Sequence, residues 1–198
     1  MEAAHSPSGV RPQAGALAVQ QTTDVPTPER MRELGLRLAA LLRPGDLVLL
    51  TGELGAGKTT LARGLGEGLG VRGSVTSPTF VIARVHPSLG DGPPLVHVDA
   101  YRLGGSGLEG MDDLDLDVSL PESVVVVEWG EGRVEELAED RLHVVIERTA
   151  GGDAPEGVTG ADGEAAEDVA AVAEDDVRTV TVTGIGDRWA GADLAVLG

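Results

Sequence analysis

The chain has 198 residues, enough for one domain with a full core and too few for two large ones. Its formal net charge of −18 argues against capture of nucleic acid or an anionic membrane by the surface as a whole, so strong direct nucleic-acid binding is not expected. It has no cysteine, which excludes disulfides and thiolate chemistry, no apolar run of membrane-spanning length, and an N-terminus without an apolar signal segment. A cytoplasmic protein is expected, and with aromatics at 2% its core must be built from Val, Leu, Ile and Ala.

Residues 1–14 are rich in Pro, Ser, Gly and Ala without periodicity and read as a disordered extension. Ala16 to Gln21 is a candidate first strand. A helix follows, with Thr27 as N-cap, Pro28 at its first position, Glu29 in its first turn, and Met31, Leu34, Leu38 and Leu41 along one face. Pro44-Gly45 ends it. The apolar run Leu47-Val48-Leu49-Leu50 is then a buried strand, and Leu61-Ala62-Arg63-Gly64-Leu65 opens a second helix that stops near Gly70.

Between that strand and that helix lies Gly52-Glu53-Leu54-Gly55-Ala56-Gly57-Lys58-Thr59-Thr60, which fits the phosphate-loop pattern G-x-x-x-x-G-K-[ST] in the strand-to-helix context the pattern requires. Glycines let the backbone curl closely, and the unpaired N–H groups at the helix start, with the helix dipole, make an anion site. Of the 15 basic residues only Lys58 is a lysine. A chain that otherwise uses arginine keeps a compact ammonium where the loop needs a point charge. Lys58 would reach the β- and γ-phosphates of a bound nucleotide, and Thr59 would offer its hydroxyl to Mg²⁺.

Downstream, Ser77-Pro78-Thr79 places two hydroxyls on a stiffened turn before a strand start at Thr79 to Ile82. It is either a hydroxyl-capped turn or a switch segment that senses the γ-phosphate. Leu95-Val96-His97-Val98-Asp99 is a strand ending in a carboxylate, and Val124-Val125-Val126-Val127-Glu128-Trp129 repeats the arrangement, its four valines reading as a strand buried on both faces. In open α/β sheets ligands bind beyond the carboxyl ends of the strands, so Asp99 and Glu128 should lie near the loop, suited to metal binding and water positioning. His97 reads as a packed core imidazole rather than a ligand.

Leu108 to Asp117 is acidic with interspersed Leu and Met and suggests a short surface helix. Leu142 to Ile146 is a further strand. The stretch from Thr149 to Val177 holds nine acidic residues and no Lys or Arg, half of the net charge, and reads as a disordered acidic insertion at about 150–176. Arg178 to Thr183 is a last strand, and Trp189 to Leu197 a helical tail.

The phosphate loop, Ser77-Pro78-Thr79-Phe80, His97-Val98-Asp99-Ala100-Tyr101-Arg102-Leu103 and Val127-Glu128-Trp129, in that order and within about 80 residues, resemble the TsaE-type ATPase of bacterial tRNA threonylcarbamoyladenosine biosynthesis. The resemblance runs from roughly Thr23 to Arg148 and resumes at Arg178. It implies an α/β, P-loop NTPase-like fold with a mostly parallel central sheet flanked by helices, a single ATPase domain over 15–198 interrupted by the insertion. It also implies hydrolysis of ATP with Mg²⁺ in support of partner proteins of the tRNA-modifying complex. By position, Gly55, Ala56, Gly57, Lys58, Thr59 and Thr60 would bind phosphates, Thr59 and Glu128 would hold Mg²⁺, Asp99 takes a Walker-B-like place and Thr79 the switch place. Lys58, Asp99, Glu128 and Thr79 are thus the candidate catalytic residues. Thr27, Pro28, Trp129 and Arg178 complete the candidate nucleotide contacts.

A regulatory GTPase would need an [NT]-K-x-D segment, but the chain has no asparagine and its lysine lies in the phosphate loop. A small-molecule kinase, with Arg84, Arg102 or Arg133 clamping a second substrate, is the alternative enzyme, and a nucleotide-gated binding module with negligible turnover a third class. The glutamines Gln13, Gln20 and Gln21 precede the first helix, and no arginine finger is evident beside the loop. Slow hydrolysis that partners accelerate is therefore expected.

Overall fold

The computed structural model describes residues 18–78, 82–103, 119–132, 138–148 and 177–198. The expected N-terminal disorder, the Leu108 to Asp117 helix, the acidic insertion and Thr79 lie outside these residues. Seven strands form one sheet: β1 (Ala18–Val25), β2 (Leu47–Gly52), β3 (Ala83–His86), β4 (Leu95–Asp99), β5 (Val124–Glu128), β6 (Arg141–Arg148) and β7 (Arg178–Ile185). Helix α1 (Pro28–Ala39) lies between β1 and β2, and α2 (Lys58–Gly68) follows β2.

The order across the sheet is β1-β7-β6-β2-β5-β4-β3. β6, β2, β5 and β4 are mutually parallel, while β1, β7 and β3 are antiparallel to their neighbours. The parallel arrangement expected from the valine-rich runs therefore holds at the centre, where strands are covered on both sides. Alternation along β5 divides its valines accordingly. Val124 and Val126 join Val48, Leu50, Leu61 and Leu65 in the core beneath the helices. Val125 and Val127 face the other way, with Leu47, Leu49, Val96 and Val98.

Helix α1 begins as its sequence specifies: the Thr27 hydroxyl accepts the Arg30 N–H at 3.3 Å, and Met31, Leu34 and Leu38 are buried. The two helices cross at unusually close range. A Cβ on Gly64 would collide with the Arg32 carbonyl, and one on Gly35 with the Leu61 carbonyl. Small residues here let α1 lie flat on the helix that carries the phosphate loop.

The expected helical tail is instead a series of turns ending in a 3₁₀ turn at Leu194–Leu197. The Asp193 carboxylate caps that turn by accepting the Ala195 N–H, which starts a new element where a continuous helix would have to pass. Trp189, Leu194 and Leu197 are still buried, so the apolar spacing is satisfied by a tighter turn. Arg188 anchors the segment by donating to the Leu41 carbonyl at 2.8 Å and the Asp46 carboxylate at 3.1 Å.

Candidate functional site

The loop between β2 and α2 turns through two left-handed glycines, Gly55 (φ 77°) and Gly57 (φ 113°). A side chain at either position would strain the backbone. Gly57 is the N-cap of α2 and supplies no capping side chain, so the first N–H groups of that helix remain available to an anion.

Lys58 is only 5% exposed. Its ammonium donates back to the Gly52 carbonyl at 2.7 Å and the Glu53 carbonyl at 2.9 Å, and lies 3.8 Å from the centroid of the Trp129 ring. Burial pulls it below the usual lysine range, and the carboxylates of Glu128 and Asp99 oppose that shift. Trp129 holds a left-handed backbone (φ 62°), uncommon for a large side chain, which turns its ring over Lys58 and against Tyr101 at 5.3 Å between centroids.

Parallel pairing sets Asp99 opposite Glu128 at the ends of β4 and β5. Both side chains are almost fully buried. The Thr59 hydroxyl donates to the two Glu128 oxygens at 3.1 and 3.3 Å. Asp99 is held by the Ser77 hydroxyl at 3.0 Å and the Tyr101 backbone N–H at 3.0 Å. Lys58, Thr59, Thr60, Ser77, Asp99, Glu128 and Trp129 border one cavity of about 390 Å³. Trp129 also borders a second cavity of about 640 Å³ beyond Gly52 and Glu53.

The donor set of Thr59, Glu128 and Asp99 consists of hard oxygens beside the N-terminus of α2. It fits Mg²⁺, which takes one or two carboxylates together with substrate phosphates and water. Thr59 and Glu128 already converge on each other, as a shared cation would require.

Ala56 is buried within the loop, 1% exposed, with its N–H on the Glu53 carbonyl at 3.1 Å. Thr27, Pro28 and Arg178 do not border the cavity of about 390 Å³; the sheet brings them to its flank. Val25, two residues before Thr27, pairs with Arg178, which pairs in turn with Arg148. The first turn of α1 reaches the loop through Met31, whose side chain lies where a Cβ on Gly57 would point. The Thr27 hydroxyl is engaged in capping α1.

Two residues to which the sequence assigned no site role join the site. The Arg148 guanidinium donates to the Gly55 carbonyl at 3.2 Å, so an arginine stands beside the loop, engaged with its backbone. It lies 93 positions away in the chain and is delivered by the pairing of β6 with β2. His97 is buried as expected, but its Nε2 lies 2.9 Å from Glu128 Oε1. A histidine inside an apolar strand was the available signal, and it points to a buried polar partner.

The family model for "Threonylcarbamoyl adenosine biosynthesis protein TsaE" matches residues 25–154. The tRNA threonylcarbamoyladenosine biosynthesis protein TsaE of Streptomyces coelicolor is 69% identical over 167 residues, 84% of this chain and 99% of that protein. The protein of the same name from Bacillus subtilis is 35% identical over 164 residues, 82% of this chain and 84% of the relative. The crystal structure of Bacillus subtilis YdiB superposes with a TM-score of 0.60 at 31% identity, covering 87% of this chain and 90% of YdiB.

Proposed function

The chain belongs to the TsaE family, and from that membership we propose that it is the ATP-hydrolysing component of tRNA threonylcarbamoyladenosine biosynthesis, working in the cytoplasm with partner proteins. The observation that carries the ATPase reading is the convergence of the Lys58 ammonium, the Thr59 hydroxyl and the Glu128 and Asp99 carboxylates on one cavity at the start of α2.

In this reading the α2 N–H groups and the loop backbone cradle the phosphates, and Lys58 exchanges its Gly52 and Glu53 carbonyls for β- and γ-phosphate oxygens. Thr59 and Glu128 would hold Mg²⁺, which when bound neutralises charge developing on the phosphate oxygens. Asp99, fixed by Ser77 and Tyr101, would orient the attacking water. Trp129 covers the lysine side of the site and keeps bulk water from the reacting phosphate.

No glutamine lies in the described part of the site, and Arg148 is occupied with the loop carbonyl. Hydrolysis by the isolated protein is then slow, and a group supplied by a partner accelerates it, by about 10³- to 10⁵-fold in the strongest known cases. The test is to combine the purified protein with the other proteins of this tRNA modification and measure ATP hydrolysis and modified tRNA together. Fast hydrolysis by the protein alone, unchanged by partners, contradicts the reading. Transfer of phosphate to a nucleoside or metabolite would favour the small-kinase alternative, which the names of the relatives do not support.

A further inference from the structure

The geometry points to His97 as a positioning residue that fixes Glu128 from behind, so that the carboxylate meets Thr59 and a bound metal in one orientation; this rests on the Mg-nucleotide reading above. Alternation along β4 puts Leu95, His97 and Asp99 on the face beneath the helices, and alternation along β5 puts Val124, Val126 and Glu128 on the same face. His97 pairs with Val126, so Glu128 is its diagonal neighbour, two residues farther along the adjacent strand. A side chain as long as histidine bridges that diagonal.

The chemistry is one-sided. His97 has no exposed surface, and its Nδ1 has no hydrogen-bond partner among the described residues. An ionised carboxylate oxygen can only accept, so Nε2 carries the hydrogen and donates to Glu128 Oε1, leaving Nδ1 bare. A leucine in this place would pack without desolvating a polar ring, whereas the imidazole is tolerated because it makes this one bond. Oε1 thereby takes both His97 at 2.9 Å and Thr59 at 3.1 Å, while Oε2 takes Thr59 alone among the described residues, at 3.3 Å. His97 therefore settles which oxygen of Glu128 is held and which is offered. Such outer partners of metal-binding side chains typically change metal affinity by about 10- to 100-fold when removed.

Two substitutions and one spectrum test this on the full-length chain. His97→Leu keeps apolar bulk and removes the donor; His97→Gln keeps an N–H at about the position of Nε2. ATP binding is titrated in EDTA and against increasing Mg²⁺, with folding checked by melting temperature. In His97→Leu the half-saturating Mg²⁺ concentration should rise about 10- to 100-fold, more than the ATP affinity in EDTA changes, and His97→Gln should recover most of the loss. A folded His97→Leu protein with the wild-type Mg²⁺ dependence overturns the inference. If that variant does not fold, the ¹⁵N spectrum of the wild-type imidazole decides: an Nε2-protonated neutral ring that shifts on addition of Mg-ATP supports it, and an Nδ1-protonated ring overturns it. Failure of the wild-type chain to bind ATP with or without metal would instead sink the nucleotide reading, and the ring tautomer of the free protein would still judge the His97–Glu128 bond.

Discussion

Thr59 and Glu128, 69 positions apart in the chain, meet through a hydrogen bond of 3.1 Å that joins the first turn of α2 to the end of β5. Removing either partner should weaken the use of Mg²⁺ before it weakens the fold. Thr59→Val and Glu128→Ala are expected to raise the half-saturating Mg²⁺ for ATP binding or turnover by about tenfold or more. Asp99→Asn, which leaves the Thr59–Glu128 pair in place, should mainly lower turnover. A metal titration that ranks the two carboxylates the other way would exchange their roles.

On the nucleotide reading proposed above, Lys58 serves the chemistry of the site and not the stability of the fold. Its ammonium is buried and held below the usual lysine range, so a side chain without charge is not disfavoured there on electrostatic grounds. Lys58→Met, which keeps the aliphatic stem, should melt within a few degrees of wild type and show no ATP hydrolysis. Arginine should not restore full activity, because a planar fork cannot replace the compact ammonium between two carbonyls and a ring. Wild-type turnover in either variant would overturn the assignment of the loop.

Trp129 and Trp189 are the two tryptophans, and they report on different places. Trp189 is fully buried in the core, whereas Trp129 lies over Lys58 at the cavity. Binding of ATP or ADP should therefore change the intrinsic fluorescence of wild type and of Trp189→Phe, and leave Trp129→Phe nearly silent. A full response from Trp129→Phe would place the ligand elsewhere.

The crossing of α1 and α2 predicts a reversal of helix propensity. Glycine to alanine inside a helix ordinarily gains about 1 kcal/mol, but a methyl at Gly64 would meet the Arg32 carbonyl, and overpacking of this kind costs about 1–3 kcal/mol or more. Gly64→Ala should thus lower stability in urea unfolding, and the phosphate loop at the head of α2 should bind nucleotide less tightly as the helix is displaced. Increased stability would mean that α1 can move aside freely.

Arg148 and Arg178 pair across β6 and β7, so the chain leaves and re-enters the sheet at adjacent positions. Deletion of residues 151–174 should accordingly leave the melting temperature and ATP binding nearly unchanged, since both ends can be joined by a short turn. Unfolding of the deletion protein, or loss of ATP binding, would make the segment a structural part of the domain.

What the sequence disclosed was what local pattern encodes. Thr27 and Pro28 start α1, the loop glycines and Lys58 stand where the motif requires, and the valine run is buried on both sides. What it concealed depends on register between distant strands. The bond from Arg148 to Gly55 has no signature within a window of neighbouring residues, and that from His97 to Glu128 has only a histidine set in an apolar strand, which does not name its partner. The tail departs from the helical expectation for a related reason: Trp189, Leu194 and Leu197 satisfy burial with either a helix or a tighter turn, and the Asp193 cap decides between them.

The pairing of β1 with β7 also sets an order of assembly in time. Thr22 and Thr181 share a hydrogen bond across 159 positions, and among the described residues β7 is the sole neighbour of β1 in the sheet. The phosphate loop, α1 and α2 are synthesised long before the strand that closes that side, and so non-local a contact forms late and slowly. A chain arrested before Arg178 leaves the whole hydrogen-bonding edge of β1 open to other chains, which makes the nascent protein most prone to aggregate just before its last strand emerges.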